Sequence, residues 1–285
     1  MAEFVRIHEV GPRDGLQNEK RIISATDKIR LVDMLSACRF ERIEVTSFVR
    51  ADRVPQMADG ADVMAGITRR PGTRYTVLTP NLRGYEAALA ARADEVAVFA
   101  SASEGFSRKN INCSIAESFE RFAPLIWRAG ADGVPVRGYV SCVVDCPYDG
   151  PTPPAQVAEV AERLRRLGCC EISLGDTIGT GTPERVAAML DAVLERLPAL
   201  ELAGHFHDTN GRAIDNITVA LEKGLRVFDA AAGGLGGCPY APGAEGNVAT
   251  GKTVDHLVAL GFETGIDRDR LAEAEAFARS LRGAR

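Results

Sequence analysis

A short apolar stretch at residues 202–208, Leu-Ala-Gly-His-Phe-His-Asp, holds two of the chain's four histidines. We expect this stretch to be a β-strand. Successive side chains of a strand point to opposite faces, so His205 and His207 then share one face. Two imidazoles on one rigid face make half of a metal site. The alternative is a pair of unrelated histidines at a polar strand end, and the rest of the chain decides between the two.

Seven further segments have the same strand-like character, and helical patterns separate most of them. The eight predicted strands cover residues 4–10, 42–47, 75–79, 95–100, 136–143, 170–174, 202–207 and 226–231. Helix starts are indicated by Ser24 and by the Thr182-Pro183 pair, and Gly168 indicates a helix end. Eight strand–helix units in about 250 residues fit a TIM barrel.

We therefore predict an α/β fold, a (β/α)8 TIM barrel, as a single domain over residues 1–285 with a short C-terminal helical extension. The structural rival is a doubly wound open sheet. Against that rival, the first predicted strand is not followed by a Gly-x-Gly-x-x-Gly turn.

Composition excludes several classes of protein. A chain of 285 residues that is 46% hydrophobic and 26% charged can bury a sizeable core. Its net charge of −5 argues against nucleic acid as the main partner, and no apolar run approaches the ~20 residues of a membrane span. The start of the chain lacks a signal-peptide pattern, so we expect a cytoplasmic protein. The seven scattered cysteines form no disulfide framework, and most should be reduced and buried.

Unusual polar residues lie at or near the ends of several predicted strands. They are Arg13 and Asp14 after the first strand, Glu44 in the second, Asp176 after the sixth, His205 and His207 in the seventh, and Asn247 beyond the eighth. Each alone has a structural explanation, such as a charged surface turn. The active site of a TIM barrel, however, is built at the C-terminal ends of its strands. Together these residues predict such a site.

Four of these residues form a candidate metal-ligand set: Asp14, His205, His207 and the amide oxygen of Asn247. The set needs no cysteine, so a structural zinc site is disfavoured. Hard oxygen ligands beside imidazoles favour Mg²⁺ or Mn²⁺, with open positions for the oxygens of a substrate.

A glycine-rich loop follows the eighth predicted strand and leads to Asn247. Residues 233–243 contain five glycines, which allow positive φ angles and large excursions. We expect this loop to close over a bound substrate and to carry Cys238 into the site. The alternative is a long surface loop whose cysteine is incidental.

Several stretches of the chain together resemble the 3-hydroxy-3-methylglutaryl-CoA lyase family. They are residues 10–19, 79–82, 109–114, 138–142, 171–179, 205–209 and 234–247. The most specific is Gly-Leu-Gly-Gly-Cys-Pro-Tyr-Ala at 234–241, which matches the signature loop of these lyases. Related synthases on the same barrel share the Arg-Asp-Gly turn and the His-x-His strand but lack the cysteine loop.

The resemblance implies a metal-dependent cleavage of 3-hydroxy-3-methylglutaryl-CoA to acetyl-CoA and acetoacetate. By analogy, Asp14, His205, His207 and Asn247 bind the metal, and Arg13, Glu44, Asp176 and Cys238 have catalytic roles. Arginine suits an enolate oxygen, and a loop cysteine is placed to protonate the enolate. Asp14 or His205 takes the proton of the tertiary hydroxyl, and both alternatives stay open. Glu44 and Asp176 are expected to orient Arg13, a ligand or bound water.

The sequence also bears on the CoA-binding residues, the oligomeric state and the substrate preference. Lys109, Asn110 and Asn112 could contact polar groups of CoA, or belong to a plain helix N-terminus. The family tends to form homodimers. Asn210 and Gly251 depart from the family pattern, where tyrosine and glutamate are usual, and this bears on substrate preference. The rivals are a sister lyase for another 3-hydroxyacyl-CoA, such as a 3-alkylglutaryl-CoA or citramalyl-CoA, and a condensing synthase.

Overall fold

The computed structural model describes residues 3–236 and 246–282, in which eight parallel strands close into a barrel. With two short strands outside the barrel, the described residues form β1 (Arg6–Glu9), β2 (Arg42–Ser47), β3 (Arg74–Leu78), β4 (Glu95–Ser101), β5 (Val136–Ser141), β6 (Asp145–Cys146), β7 (Gly150–Pro151), β8 (Glu171–Asp176), β9 (Leu202–Phe206) and β10 (Val227–Ala230). The order around the barrel is β1-β10-β9-β8-β5-β4-β3-β2, and β6 and β7 form a separate antiparallel ribbon. The predicted TIM barrel is confirmed.

Helices follow each of the eight barrel strands. They are α1 (Ala25–Ala37), α2 (Gly60–Gly66), α3 (Leu82–Ala90), α4 (Glu104–Ile111), α5 (Ile115–Asp132), α6 (Pro154–Leu167), α7 (Pro183–Leu194), α8 (Ala213–Glu222), α9 (Thr250–Ala259) and α10 (Arg268–Leu281). The last helix, α10, lies against α1 and is the predicted C-terminal extension. No helix within the described ranges is long and apolar enough to cross a membrane.

The predicted helix boundaries are confirmed by their capping geometry. The side chain of Ser24 accepts a hydrogen bond from the backbone N–H of Asp27, and Thr182 does the same for Arg185. Gly168 ends α6 with a φ of 126°, a conformation that a residue with a side chain rarely adopts. These local signals are strong because the first N–H groups of a helix need acceptors from outside its own hydrogen-bond ladder.

Five predicted strands end one or two residues earlier than expected. The fifth predicted strand was expected to reach residue 143 but ends at Ser141, because Cys142 turns into the left-handed region with a φ of 60°. The first is shorter than residues 4–10, and Phe4 forms only an isolated bridge to Glu263. The ribbon of β6 and β7 was not predicted. Of the six cysteines within the described residues, all are free thiols and only Cys170 is exposed.

Alternation along the strands separates an apolar outer face from a polar inner face. On β8, Ile172 and Leu174 face outward into the apolar layer between strands and helices. The alternate residues Glu171 and Ser173 face inward, where they bind side chains from β5 and β10. The main hydrophobic core therefore surrounds the barrel, while much of the barrel interior is filled by polar and charged side chains.

Candidate metal centre and active-site cavity

Three side chains converge at the C-terminal end of the barrel. Donor atoms of Asp14, His205 and His207 all lie within 4.8 Å of one another. Asp14 belongs to a π-helical turn, Gly11–Gly15, that follows β1 directly. His205 lies in β9, and His207 follows the end of that strand. The strand order brings the turn and β9 to the same side of the barrel mouth, with only β10 between β1 and β9.

Each imidazole keeps one nitrogen for a ligand. Nδ1 of His205 lies 3.1 Å from Oδ2 of Asp229, which leaves Nε2 for the cluster. Burial lowers the pKa of His205, but the Asp229 hydrogen bond and charge outweigh it and raise the pKa above its usual value. His207 is bonded to the backbone of Thr177, and its Nδ1 has no partner among the described residues. Burial and the neighbouring His205 lower the pKa of His207 to about 4, so its imidazole is neutral, as a metal ligand requires.

Asn247 joins the cluster from the far side of the glycine-rich loop. Its Nδ2 donates to Oδ2 of Asp14 at 2.8 Å and to the backbone carbonyl of Leu235 at 3.2 Å. An antiparallel bridge also pairs Asn247 with His207. Asn247 is thus held against two of the three converging side chains, and its amide oxygen is the group that could complete the set.

Arg13 is fixed between two carboxylates. Its Nε donates to Oε2 of Glu44 and its Nη1 to Oδ1 of Asp14, both at 2.6 Å. Burial would raise the pKa of Asp14, but Arg13 and the two histidines lower it to about 2. For Glu44, burial prevails over the attraction of Arg13 and raises the pKa. The two contacts leave Nη2 of Arg13 for an oxygen in the cavity.

This donor set fits a hard divalent cation. One carboxylate and two imidazoles converge, with an asparagine at the side, and no cysteine takes part. Such mixed oxygen and nitrogen ligands suit Mg²⁺ or Mn²⁺ better than a structural zinc site. The buried Nδ1 of the half-buried His207 has no partner among the described residues, and a ligand at this position explains it.

Comparisons with known proteins agree with this geometry. The family model described as HMGL-like matches residues 4–278. The chain belongs to the HMGL-like family. It is 56% identical over 270 residues to the 3-hydroxy-3-isohexenylglutaryl-CoA/hydroxy-methylglutaryl-CoA lyase of Pseudomonas aeruginosa, covering 95% of this chain and 90% of that one.

Solved structures of HMGL-like proteins superpose closely on this chain. The HMG-CoA lyase from Brucella melitensis has a TM-score of 0.98 and 64% identity, with 99% of each chain covered. An HMG-CoA lyase from Acinetobacter baumannii, in complex with coenzyme A and 3-methylmalate, has a TM-score of 0.92 and 37% identity, covering 98% of this chain and 91% of that one. The resemblance predicted from the sequence is confirmed.

Asp176 differs from the other predicted site carboxylates in the face of the barrel wall that it occupies. Asp176 is fully buried at the end of β8, but it has the outward parity of Leu174. Its Oδ2 accepts the backbone N–H of Gly181 at 2.8 Å and so holds the loop after β8. Among the described residues that line the cavity, Gly175 and Thr177 appear and Asp176 does not. Among the described residues, Arg13 is bonded to Glu44 and Asp14 and not to Asp176; that Asp176 orients a ligand or bound water stays a prediction.

Lys109, Asn110 and Asn112 do line the cavity, at its outer rim. They lie at the C-terminal end of α4, where Asn112 adopts a left-handed φ of 53°, and not at a helix N-terminus. The cavity has a volume of about 1200 Å³ and extends from this rim to the three converging side chains. Its other cationic lining residues are Arg13, Arg50, Arg53, Arg108 and Arg121. A basic rim of this kind suits the phosphates of a nucleotide-bearing substrate.

The two departures from the family pattern lie outside the cavity lining that the structure describes. Nδ2 of Asn210 donates to the carbonyl of Gly179 at 3.0 Å. The backbone N–H of Gly251 donates to Glu275, and Gly251 lines a separate cleft between α9 and α10. Neither residue lines the cavity as the described residues form it, and an effect on substrate preference stays a prediction. Cys238, the predicted loop acid, lies outside the described residues.

The structure adds buried groups that sequence reasoning missed. Asp229, behind His205, accepts two hydrogen bonds from Arg137 and one from Ser173. Burial would raise the pKa of Asp229, but Arg137 and His205 hold it well below the usual range. Tyr139 lies between Arg13 and His205 on the cavity wall. The available signal was a charged or polar residue in the middle of a predicted strand at inward parity.

Proposed function

We propose that this protein is a divalent-metal-dependent lyase that cleaves 3-hydroxy-3-methylglutaryl-CoA into acetyl-CoA and acetoacetate. The observation that carries the proposal is the convergence of Asp14, His205 and His207 within 4.8 Å, directly beside the buried Arg13. Such a site can bind both a cation and a substrate oxygen. The likeness to HMG-CoA lyases supports this reaction over others available to a TIM barrel.

Asp14, His205 and His207, with the amide oxygen of Asn247, are proposed to hold the cation, Mg²⁺ or Mn²⁺. When bound, the cation supplies positive charge that lowers the pKa of the substrate's tertiary hydroxyl and polarises the developing ketone. Asp14 and His205 are the proposed acceptors of the hydroxyl proton. The pKa of Asp14 is about 2, and Asp229 raises the pKa of His205; because Nδ1 of His205 is bonded to Asp229, His205 can take the proton only at Nε2, the nitrogen that it otherwise offers to the cation.

Arg13 is proposed to hold the charge that develops on the thioester oxygen. Glu44 and Asp14 hold its guanidinium through Nε and Nη1, which leaves Nη2 available to an oxygen in the cavity. Because the ion pair with Glu44 is buried, the guanidinium is in place before the substrate arrives, and this preorganisation is the source of electrostatic catalysis. Glu44 is thus a positioning residue for Arg13.

The rim of the cavity is proposed to bind the CoA moiety. Lys109, Asn110 and Asn112 supply one cation and two amides, and the arginines at 50, 53, 108 and 121 surround them. The chain as a whole has a net charge of −5, so this local excess of cations is a feature of the rim and not of the composition. It complements the phosphate charges of CoA.

Cys238 is proposed to protonate the enolate of acetyl-CoA after the bond breaks. The support is the signature-like sequence 234–241 and its connection to Leu235 and Asn247, which are hydrogen-bonded to one another at the site. A homodimer and a cytoplasmic location stay predictions from the sequence and the family resemblance.

A second candidate is a lyase of broader substrate range. The relative from Pseudomonas aeruginosa is named for both a 3-isohexenyl and a 3-methyl substrate, and the cavity of about 1200 Å³ has room for a longer 3-alkyl chain. This candidate shares the mechanism and differs only in the side chain at C3 of the substrate.

The test is a panel of 3-hydroxyacyl-CoA thioesters offered to the metal-loaded protein, with products identified by mass. We expect acetyl-CoA and acetoacetate from the 3-methyl substrate, and loss of turnover with EDTA that added Mg²⁺ or Mn²⁺ restores. Arg13→Met should lower kcat by roughly 10²–10³-fold without a change in bound metal, since one charge-stabilising donor is lost. Cleavage of another thioester alone, or cleavage that EDTA leaves intact, would contradict the proposal.

A further inference from the structure

Tyr139 is a buried residue of the cavity wall, and the mechanism proposed above assigns it no role. It lies in β5 at inward parity, two positions after Arg137, and its side chain is only 8% exposed. It lines the cavity together with Arg13, His205 and His207. Its ring is therefore close to the groups proposed to surround the reacting end of the substrate.

The hydroxyl of Tyr139 is unpartnered, unlike those of two other buried tyrosines. Tyr75 donates to Ser36 at 3.0 Å and Tyr85 donates to Asp132 at 2.8 Å. For Tyr139, no hydrogen-bond partner exists among residues 3–236 and 246–282. A buried hydroxyl without a partner costs about 1–3 kcal/mol, so its retention on a cavity wall indicates that a ligand supplies the acceptor.

Three side chains hold the ring of Tyr139 in one orientation. The guanidinium carbon of Arg137 lies 4.9 Å from the ring centroid, and that of Arg13 lies 5.6 Å from it. The imidazole of His205 meets the ring nearly at right angles, with centroids 6.2 Å apart. Cations near the ring and an edge-on aromatic contact are favourable arrangements that restrict the ring.

The phenol keeps its proton and is therefore a donor. A phenol has an ordinary pKa of about 10, so it is protonated at neutral pH. The adjacent Arg13 lines the same cavity and is the second donor on this wall. Two donors beside each other, one neutral and one cationic, form the kind of pocket that binds an oxygen on which negative charge develops.

We propose that the hydroxyl of Tyr139 and the guanidinium of Arg13 together bind the thioester oxygen of the substrate, which becomes the enolate oxygen when the carbon–carbon bond breaks. This role rests on the proposed lyase activity and adds a second, neutral donor to it. Tyr139 is then a catalytic residue, because it contacts the atom that receives the charge.

The test is Tyr139→Phe, which removes one oxygen atom and keeps the ring. Two rates are measured on metal-loaded protein: cleavage of 3-hydroxy-3-methylglutaryl-CoA, and exchange of the methyl protons of acetyl-CoA with D₂O, which requires the same enolate. We expect both rates to fall by roughly 100-fold, as for loss of one donor to a developing oxyanion. The affinity for Mn²⁺, measured by calorimetry, should stay at the wild-type value.

Tyr85→Phe is the matched control, because its hydroxyl has an internal partner far from the cavity lining. It should leave both rates unchanged. If Tyr139→Phe raises KM for the cleaved substrate but leaves acetyl-CoA exchange intact, the phenol binds another part of the substrate and the proposal is wrong. Unchanged rates in Tyr139→Phe, with an active wild type, overturn the Tyr139 role alone. A wild-type protein that neither cleaves nor exchanges overturns the proposed function and this role with it.

Discussion

The mouth and the floor of the barrel interior are both lined by charged side chains, but these side chains are arranged differently in the two regions. The floor consists of Arg42, Glu95, Glu171, Arg137 and Asp229, which ion pairs connect. The mouth consists of Arg13, Asp14, Glu44, His205, His207 and Asn247. On the floor, charges of opposite sign meet one another. At the mouth, three acceptors converge on a common point.

On the floor, Arg137 is the central residue. It binds both carboxylate oxygens of Asp229, at 2.8 and 2.9 Å, and its Nε donates to Glu171 at 2.8 Å. Glu171 also accepts from Arg42 at 2.7 Å. Arg42, Arg137, Glu171 and Asp229 therefore pair with one another, while Glu95 meets Arg42 at 3.7 Å without a hydrogen bond among the described residues. The floor supports the mouth through a single side chain, since Asp229 also binds His205.

At the mouth, the polar groups are only partly satisfied by the protein. Asp14, His205 and His207 bring lone pairs together, Nδ1 of His207 has no partner in the described chain, and neither has the hydroxyl of Tyr139. Placing acceptors this close is unfavourable unless a cation binds between them. The comparison teaches that burial of charge alone does not identify a site. A site is identified by several potential metal ligands that converge on one point.

The largest effect on folding is expected on the floor, from Arg137→Met. This change leaves the carboxylates of Asp229 and Glu171 buried without their main cation, which costs about 3–5 kcal/mol for a broken buried pair. Urea unfolding of the metal-free protein measures it. The control is Arg165→Met, which breaks a partly exposed pair with Glu201 and should cost less than about 1 kcal/mol. Equal stabilities of the two variants would remove the distinction between floor and mouth.

His207→Ala at the mouth is expected to act on ligand binding and hardly on folding. Loss of one converging imidazole should weaken Mn²⁺ binding by more than about 100-fold, beyond the 10–100-fold typical of groups behind the ligands. The free energy of unfolding without metal should change by less than about 1 kcal/mol. Calorimetric titration and urea unfolding measure the two quantities. His256→Ala, a histidine of α9 that binds Thr218, is the control and should retain full affinity.

The smallest effect is expected from Asp176→Asn. Because the Asp176 side chain faces outward and holds the backbone of Gly181, an asparagine oxygen can keep that hydrogen bond. We expect kcat/KM to fall by at most about tenfold, as for a residue that acts through its neighbours. Steady-state kinetics of Asp176→Asn and Arg13→Met, measured side by side, compares their losses of kcat/KM. A loss as large as that of Arg13→Met would return Asp176 to the catalytic group.

The fold was predictable because its signals are local. Strand-like runs, helix caps at Ser24 and Thr182, and the glycine at 168 each depend on a few neighbouring residues, and the structure confirms all of them. Parity was equally readable and was not used: Asp176 follows the outward Ile172 and Leu174, whereas Glu44 shares the inward parity of Arg42. Sorting the carboxylates by parity would have separated these two residues.

By itself, the sequence determined the alternation of strands and helices, the common face of His205 and His207, and the membership of the HMGL-like family. Only the tertiary structure decided that Asp14 meets those histidines, and that Arg137 pairs with Asp229, 92 positions away, behind one of them. The physical reason is that periodicity and capping depend on interactions within a few residues. The pairing of buried charges depends on how the closed barrel sets the height and neighbours of each inward side chain.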